Sequence, residues 1–327
     1  VGKEKHAMPL LFDMPLEKLR VYRGRNPKPR DFDAFWNRSL REMMEIDPKV
    51  DLKPAEFEAP FARCYDMFFT GVGGARIHAK LLKPRKSSRK GPALLMFHGY
   101  SGSSGDWSDK LPYVAMGFTV AALDCRGQGG LSEDVGGVKG WTLNGHIIRG
   151  LDGPPERMLF RQIFLDTAQL ANLVMAMPDV DWRRVGATGG SQGGGLTLAC
   201  AALAPKVRRA APVYPFLCDY QRVWEIDLAK AAYQELNDYF RRFDPRHERQ
   251  DEIFLKLGYI DVQHLCPRIR AEIFMGMGLM DTICPPSTQF AAYNKIRSRK
   301  SLAIYPDYGH EGLPGHADRI FRFMSAL

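Results

Sequence analysis

The sequence predicts an α/β fold built on a mostly parallel, doubly wound sheet. Three observations carry this reading. Short continuous apolar runs recur from residue 92 onward, at 93–97, 118–123, 185–188, 209–213, 273–277 and 302–305. Helical patterns fall between or after them, at 157–177, 192–203 and 317–324. The runs are apolar at consecutive rather than alternate positions, as strands buried on both faces require.

The elements upstream differ in character. Residues 30–46 read as an amphipathic helix starting near Asp31, with Phe32, Phe35, Trp36 and Leu40 at helical spacing. Residues 63–70 and 76–82 read as two strands, and the glycine-rich stretch 71–74 as the hairpin turn between them. Residues 8–90 therefore form an N-terminal extension with the first strands. Residues 216–264 break the later alternation: they are mostly polar, rich in aromatics and arginine, and lie between two sheet strands. They read as a helical insertion over one end of the sheet, serving as a lid or an oligomer contact. The 327 residues suit one large domain, expected to span 8–327. Residues Val1 to Ala7 carry no pattern; Met8 is the expected natural start, and the stretch before it a remnant of expression.

Composition narrows the function classes. Hydrophobic residues make up 45% and charged residues 25%, an ordinary soluble balance. No apolar run approaches the roughly 18 residues that span a bilayer. No charged, apolar, small-residue series marks export. A cytoplasmic protein without membrane attachment is expected. The net charge is +9, but lysine and arginine are scattered, with short clusters at Lys83–Arg85–Lys86 and Arg89–Lys90. Such clusters read as solvated loops, not as a nucleic-acid surface. Six cysteines are present and none forms a C-x-x-C pair, so reduced, core-packed thiols are expected and no metal site.

Chemistry enters at residues 189–193, which read Gly-Gly-Ser-Gln-Gly, a G-x-S-x-G motif. A strand precedes it and a helix follows. In that setting Ser191 occupies a sharp turn that lifts its Oγ above the sheet, and the glycines relieve crowding. The helix N-terminus behind it offers N–H groups and a positive dipole end. No G-K-[ST] is present, which disfavours a phosphate loop. The motif makes Ser191 a candidate nucleophile on an α/β-hydrolase fold.

A serine hydroxyl needs a base, and the base needs an orienting acid. In this fold they follow the serine in the order acid, then histidine. Asp281 comes directly after the run 273–277, and His310 just after 302–305. Both positions are C-terminal strand ends, where open α/β sheets place their sites. His310 is expected to take and return the serine proton, and Asp281 to set the imidazole tautomer. His316 stands at the expected start of the last helix, His264 lies in the insertion, His98 precedes the serine, and Asp307 is too close to His310 to orient it. An oxyanion needs two N–H donors. One is expected from Gln192, the residue after the nucleophile. The other is expected from Tyr100, in the loop His98-Gly99-Tyr100-Ser101-Gly102 after the first parallel strand.

Several segments together resemble one family. They are Arg126-Gly127-Gln128, the elbow, His310-Glu311, residues 281–294 (DTICPPSTQFAAYN), and the N-terminal PLEKLRVYR and DFDAFW. The set is similar to the acetyl xylan esterase and cephalosporin C deacetylase family, carbohydrate esterase family 7. The resemblance implies an α/β-hydrolase that removes acetyl groups from xylo-oligosaccharides and cephalosporin C, without a metal or other cofactor. It implies a homohexamer, a trimer of dimers. By position it implies Ser191, Asp281 and His310 as the triad, and Tyr100 and Gln192 as oxyanion donors. Arg126, Gly127 and Gln128 match a motif whose implied role is structural, with Arg126 paired to a carboxylate near the serine. A preference for small acyl groups requires steric walls, because each methylene is worth only about 1–3 kcal/mol in a pocket. Tyr100, Trp107, Phe216 and Trp224 are candidate walls. Two rival readings stand beside this one: a serine peptidase of the prolyl oligopeptidase type, and a catalytically silent hydrolase fold used for assembly or carbohydrate binding.

Overall fold

A computed structural model describes residues 13–86, 89–135 and 144–327; Val1 to Met8 lie outside the described residues. The strands are β1 (Asp51–Pro54), β2 (Ala62–Thr70), β3 (Arg76–Pro84), β4 (Gly91–Phe97), β5 (Thr119–Leu123), β6 (Val180–Gly190), β7 (Arg209–Val213), β8 (Glu272–Gly278) and β9 (Lys300–Tyr305). They form one sheet in the order β1-β2-β3-β5-β4-β6-β7-β8-β9. Strands β1, β2 and β3 pair antiparallel, and β3 joins β5 antiparallel. Every pair from β5 across to β9 is parallel.

The apolar runs explain this sheet. All five residues of β5 are buried, and so are six of the seven in β8. Such strands need cover on both faces. Helix Leu159–Met175 supplies part of it, and helix Gln192–Leu203 lies buried along its whole length. The latter begins Gln-Gly-Gly-Gly, and small residues let its backbone sit close to the strands. Chain order reverses at β4: the chain steps to β5 on one side and returns to place β6 on the other. The carboxyl ends of strands flanking such a switch point border a crevice.

Where periodicity was strong, the elements match the sequence reading to within a few residues, except β6, which starts at Val180, five residues before the run at 185–188. The hairpin pairs Thr70 with Arg76 across a tight turn at Val72–Gly74. Several elements escape that reading, among them the four-residue helix Leu16–Leu19. Strand β1 is a four-residue edge strand containing Lys53 and ending in Pro54, with no alternation to see. Helix Leu111–Ala115 is too short to show a period. Helix Pro286–Lys295 starts with the proline that suits a first helical turn.

Residues 216–264 fold mostly as helices, including Tyr220–Glu225, Gln234–Phe243, Gln250–Leu257 and Val262–Leu265. Their outward residues are mostly polar, with Phe243 and Leu255 exposed, but Phe216, Tyr220, Tyr233, Leu236, Phe254 and Leu257 belong to the main hydrophobic core. The polar composition reports the solvent faces of amphipathic helices, not a loosely attached segment. Among the described residues, no helix is long and apolar enough to cross a membrane.

Two buried histidines bear on stability. His264 and His316 are each about 95% or more buried, and the Nε2 atom of each lacks a partner among the described residues. Burial pushes His264 down to about 3 and His316 down to about 4, from an ordinary 6.5. Both are held neutral in the folded protein, while the unfolded chain protonates them normally. Their contribution is therefore present above pH 6.5 and is lost as pH falls through the folded values. The urea midpoint is expected to drop between pH 7 and pH 5, and to drop less in His264→Gln. An equal drop in that variant would count against this account.

Candidate active site

The residues of the site come from the carboxyl ends of five strands, β4, β5, β6, β8 and β9. Ser191 follows β6 with φ 57° and ψ −120°, a positive-φ conformation that costs a non-glycine residue on the order of 1–3 kcal/mol. Neighbouring backbone holds it there. The Ser191 N–H donates to Val213 O at 3.0 Å, and Ser191 O accepts from Phe216 N at 3.0 Å and Gly195 N at 3.1 Å. Close approach demands glycine two residues before and two residues after Ser191. A Cβ on Gly193 would stand 2.1 Å from Phe97 O, and one on Gly189 would stand 2.5 Å from the same oxygen.

His310, beyond β9, reaches both of the groups it needs. Its Nε2 lies 2.9 Å from Ser191 Oγ, and its Nδ1 lies 2.9 Å from Asp281 Oδ2. The carboxylate requires a proton on Nδ1, which leaves Nε2 as the acceptor facing the hydroxyl. Asp281, beyond β8, is fully buried and itself fixed: Oδ1 accepts from Ile283 N at 2.9 Å and Cys284 N at 2.8 Å, and Oδ2 from Gln289 Nε2 at 3.3 Å. One donor atom each from Asp281, Cys284 and His310 lies within 4.8 Å of the others, and two of these three residues already belong to the Ser191 chain.

The N–H of Gln192 and that of Tyr100 have no acceptor among the described residues; Gln192 opens the helix after Ser191, and Tyr100 lies in the loop after β4. The Tyr100 loop is tied down at its root. His98 Nδ1 donates to Gly99 O at 2.7 Å, and His98 Nε2 accepts from Cys125 N at 3.0 Å. Burial lowers the His98 pKa, in keeping with a neutral ring that donates on one side and accepts on the other. Gln128 and Gln192 exchange amide hydrogen bonds at 2.9 and 3.0 Å, so the Gln192 side chain is held from the β5 loop.

Arg126 lies behind this loop, 1% exposed. Its Nε and Nη2 grip both oxygens of Asp166 at 2.7 Å, and Nη1 donates to Val72 O at 3.0 Å. Burial raises the Asp166 pKa, and the Arg126 guanidinium opposes the rise. A carboxylate on helix Leu159–Met175 thus anchors the β5 loop and the hairpin turn together. Gly127 continues that loop at φ 68°, a conformation that favours glycine.

The whole chain bears the signature of one known family: the acetyl xylan esterase profile matches residues 8–327. The chain belongs to the acetyl xylan esterase family. It is similar to the solved structure of acetyl xylan esterase 1 from a Thermoanaerobacterium species, with 64% identity and a TM-score of 0.94, covering 96% of this chain and 99% of that one. It is also similar to an acetyl xylan esterase from a Paenibacillus species, with 35% identity and a TM-score of 0.90, covering 96% and 99%. An acetyl esterase of Xylanibacter ruminicola is 27% identical over 94% of this chain and 68% of its own length.

Not every residue singled out in the sequence comes to this crevice. Trp107 stacks on Phe57 in a separate apolar cluster, and Trp224 packs against Phe240 and Phe254 within the helical segment. Phe216 stands edge-on to Tyr100, at 5.8 Å between ring centroids. Asp307 is exposed, and His316 is buried at the start of the last helix. Two residues near the site escaped the sequence reading. Tyr214, at φ 31°, lays its ring 4.6 Å from that of His310. Glu235, 3% exposed, accepts from the Tyr100 hydroxyl. Burial pushes its carboxyl up to about 7, against the pull of the N–H groups around it. Neither residue sits in a recognisable motif; a glutamate in an otherwise apolar helix face was the available signal for the second.

The buried Arg126–Asp166 pair generates a test. Asp166→Ala leaves a guanidinium buried without its carboxylate, which costs about 3–5 kcal/mol. Chemical denaturation should show a loss of that size, and a loss below about 1 kcal/mol would contradict the anchoring role.

Proposed function

We propose that this chain is a serine carboxylesterase that hydrolyses acetyl esters of small substrates, among them acetylated xylo-oligosaccharides and cephalosporin C. The observation that carries the proposal is the unbroken run of two 2.9 Å hydrogen bonds from Ser191 through His310 to Asp281. The names of its relatives, acetyl xylan esterases at 64% and 35% identity, support acetyl esters as the substrate class.

In this mechanism His310 Nε2 takes the Ser191 proton as Oγ attacks the acetyl carbonyl. Negative charge moves to the carbonyl oxygen and is met by the N–H groups of Tyr100 and Gln192, each worth roughly 3–4 kcal/mol in such sites. The intermediate collapses, the C–O bond to the sugar breaks, and His310 returns the proton to the departing alcohol. Water then repeats the sequence on the acetyl-serine and releases acetate. Asp281 holds the imidazole tautomer and stabilises the imidazolium. Arg126, Gly127 and Gln128 act by position: the Gln128 amide holds Gln192, and Arg126 holds the loop that carries Gln128. Tyr100, with Phe216 packed edge-on against its ring, is the candidate wall of the acyl side. No step in this proposal calls for a metal or other cofactor.

The reading extends to assembly and place. A homohexamer is proposed from the family resemblance, with segment 216–264 as a lid or subunit contact on a single domain. Six free, buried cysteines suit a reducing cytoplasm.

Ser191→Ala should lower kcat/KM on p-nitrophenyl acetate by at least about a thousandfold without loss of fold. A serine-directed fluorophosphonate should add to Ser191 in the parent protein alone. Substantial activity in the variant would mean another nucleophile. Absence of an adduct would favour a silent fold, and faster turnover of peptide anilides than of acetyl esters a peptidase. Mass spectrometry of products from acetylated xylo-oligosaccharides and cephalosporin C tests the substrates, and sedimentation equilibrium tests the hexamer.

A further inference from the structure

The Tyr100 side chain ends on a carboxylate that the mechanism above does not use. Glu235 stands in the first turn of helix Gln234–Phe243, more than a hundred residues along the chain from the loop it meets. Oε1 accepts from the Tyr100 hydroxyl and from His146 N at 3.1 Å. Oε2 accepts from Ile147 N at 2.7 Å and Ile148 N at 3.2 Å. Three successive backbone N–H groups and one phenol thus converge on one buried carboxylate. Such groups form a ready seat for negative charge, and hydrogen bonds to an ionised acceptor are the strong ones.

The seat is coupled to the oxyanion loop twice. The Tyr100 ring packs on that of His146 at 4.9 Å between centroids, and Ser101 Oγ lies 3.2 Å from His146 Nε2. The loop is pinned at its root by His98 and closed by Gly102 N donating to Gly99 O at 3.1 Å. Tyr100 and Ser101 are the residues between those ties, and Ser101 adopts φ 55°. Their side chains both reach to the turn that Glu235 holds.

We propose that Glu235 is a positioning residue for the oxyanion hole: through the Tyr100 hydroxyl and the 146–148 turn, its carboxylate sets where the Tyr100 N–H points. The proposal rests on the esterase reading above. A donor acts on the transition state only if it is already aimed at the developing charge, and a displacement near 1 Å can cost about a hundredfold in rate. Glu235 therefore acts on kcat, by preorganising a donor, and leaves ground-state substrate binding nearly unchanged.

The decisive variant is Tyr100→Phe, which keeps the ring, the backbone N–H and the carboxylate seat and deletes only the hydroxyl tie. On p-nitrophenyl acetate its kcat should fall about tenfold or more, with KM within about twofold of the parent. Binding of a trifluoromethyl ketone, which forms a tetrahedral adduct on a serine, should weaken by a similar factor. Glu235→Gln should also lower kcat, and the double variant should lose less than the product of the two single losses, since both weaken the Tyr100–Glu235 tie. Glu235→Gln places an amide N–H₂ against N–H donors; if it does not fold, Tyr100→Phe alone carries the test. A kcat within about twofold of the parent in Tyr100→Phe overturns the proposal, as does a change confined to KM or a double variant whose loss is the product of the two single losses. A parent protein that neither hydrolyses p-nitrophenyl acetate nor takes fluorophosphonate at Ser191 defeats the esterase reading and this proposal with it. An active, labelled parent with an unaffected Tyr100→Phe defeats this proposal alone.

Discussion

A serine at φ 57° and ψ −120° does not stay there by preference. The turn from β6 into helix Gln192–Leu203 has to happen within one residue, because strand and helix pack tightly on either side of it. Gly193 touches Phe97 O from one side, and Val213 O and Phe216 N take the Ser191 peptide groups from the other. Three neighbouring stretches of chain therefore over-determine one conformation. The result is an Oγ raised above the sheet and a Gln192 N–H without an acceptor among the described residues. The rest of the crevice is arranged around that fixed point. His310 meets Ser191 Oγ at 2.9 Å.

Holding loops to that standard falls to buried charges. Asp281 accepts four hydrogen bonds, Arg126 and Asp166 form a bidentate pair, and Glu235 takes four donors. Asp124, at the end of β5, does similar work: it accepts from Ser104 N and Leu131 N and faces His78 Nδ1 at 2.6 Å. Buried charges contribute little net stability when compared with apolar replacements. Their value here is directional. A hydrophobic contact tolerates sliding, whereas a carboxylate with several aimed donors permits one loop geometry. That difference matters most at strand ends, where no ladder continues to hold the backbone.

The helical segment after β7 joins the same logic. Its composition looks polar, yet its inner faces are part of the main core and its Glu235 touches the loop that carries Tyr100. A segment inserted between two strands is thereby made continuous with the site, by packing on one side and by a hydrogen-bonded carboxylate on the other.

Strong local periodicity was legible in the sequence. Consecutive apolar positions announce strands such as β5, and the glycines around Ser191 announce its turn, because both are short-range consequences of sterics and burial. Asp281 and His310 were legible as well, through their order and their places after apolar runs. Strand β1 was not, since four mostly exposed edge residues need no hydrophobic pattern. Tyr214 and Glu235 were not, because their roles depend on partners far away in sequence: Tyr214 meets His310, and Glu235 meets Tyr100. The sequence by itself determined the sheet-forming runs, the elbow and the chemical identities of the three residues that it lines up. Only the tertiary structure decided which buried carboxylate meets which loop, because that pairing follows from how separate elements pack and no spacing along the chain encodes it.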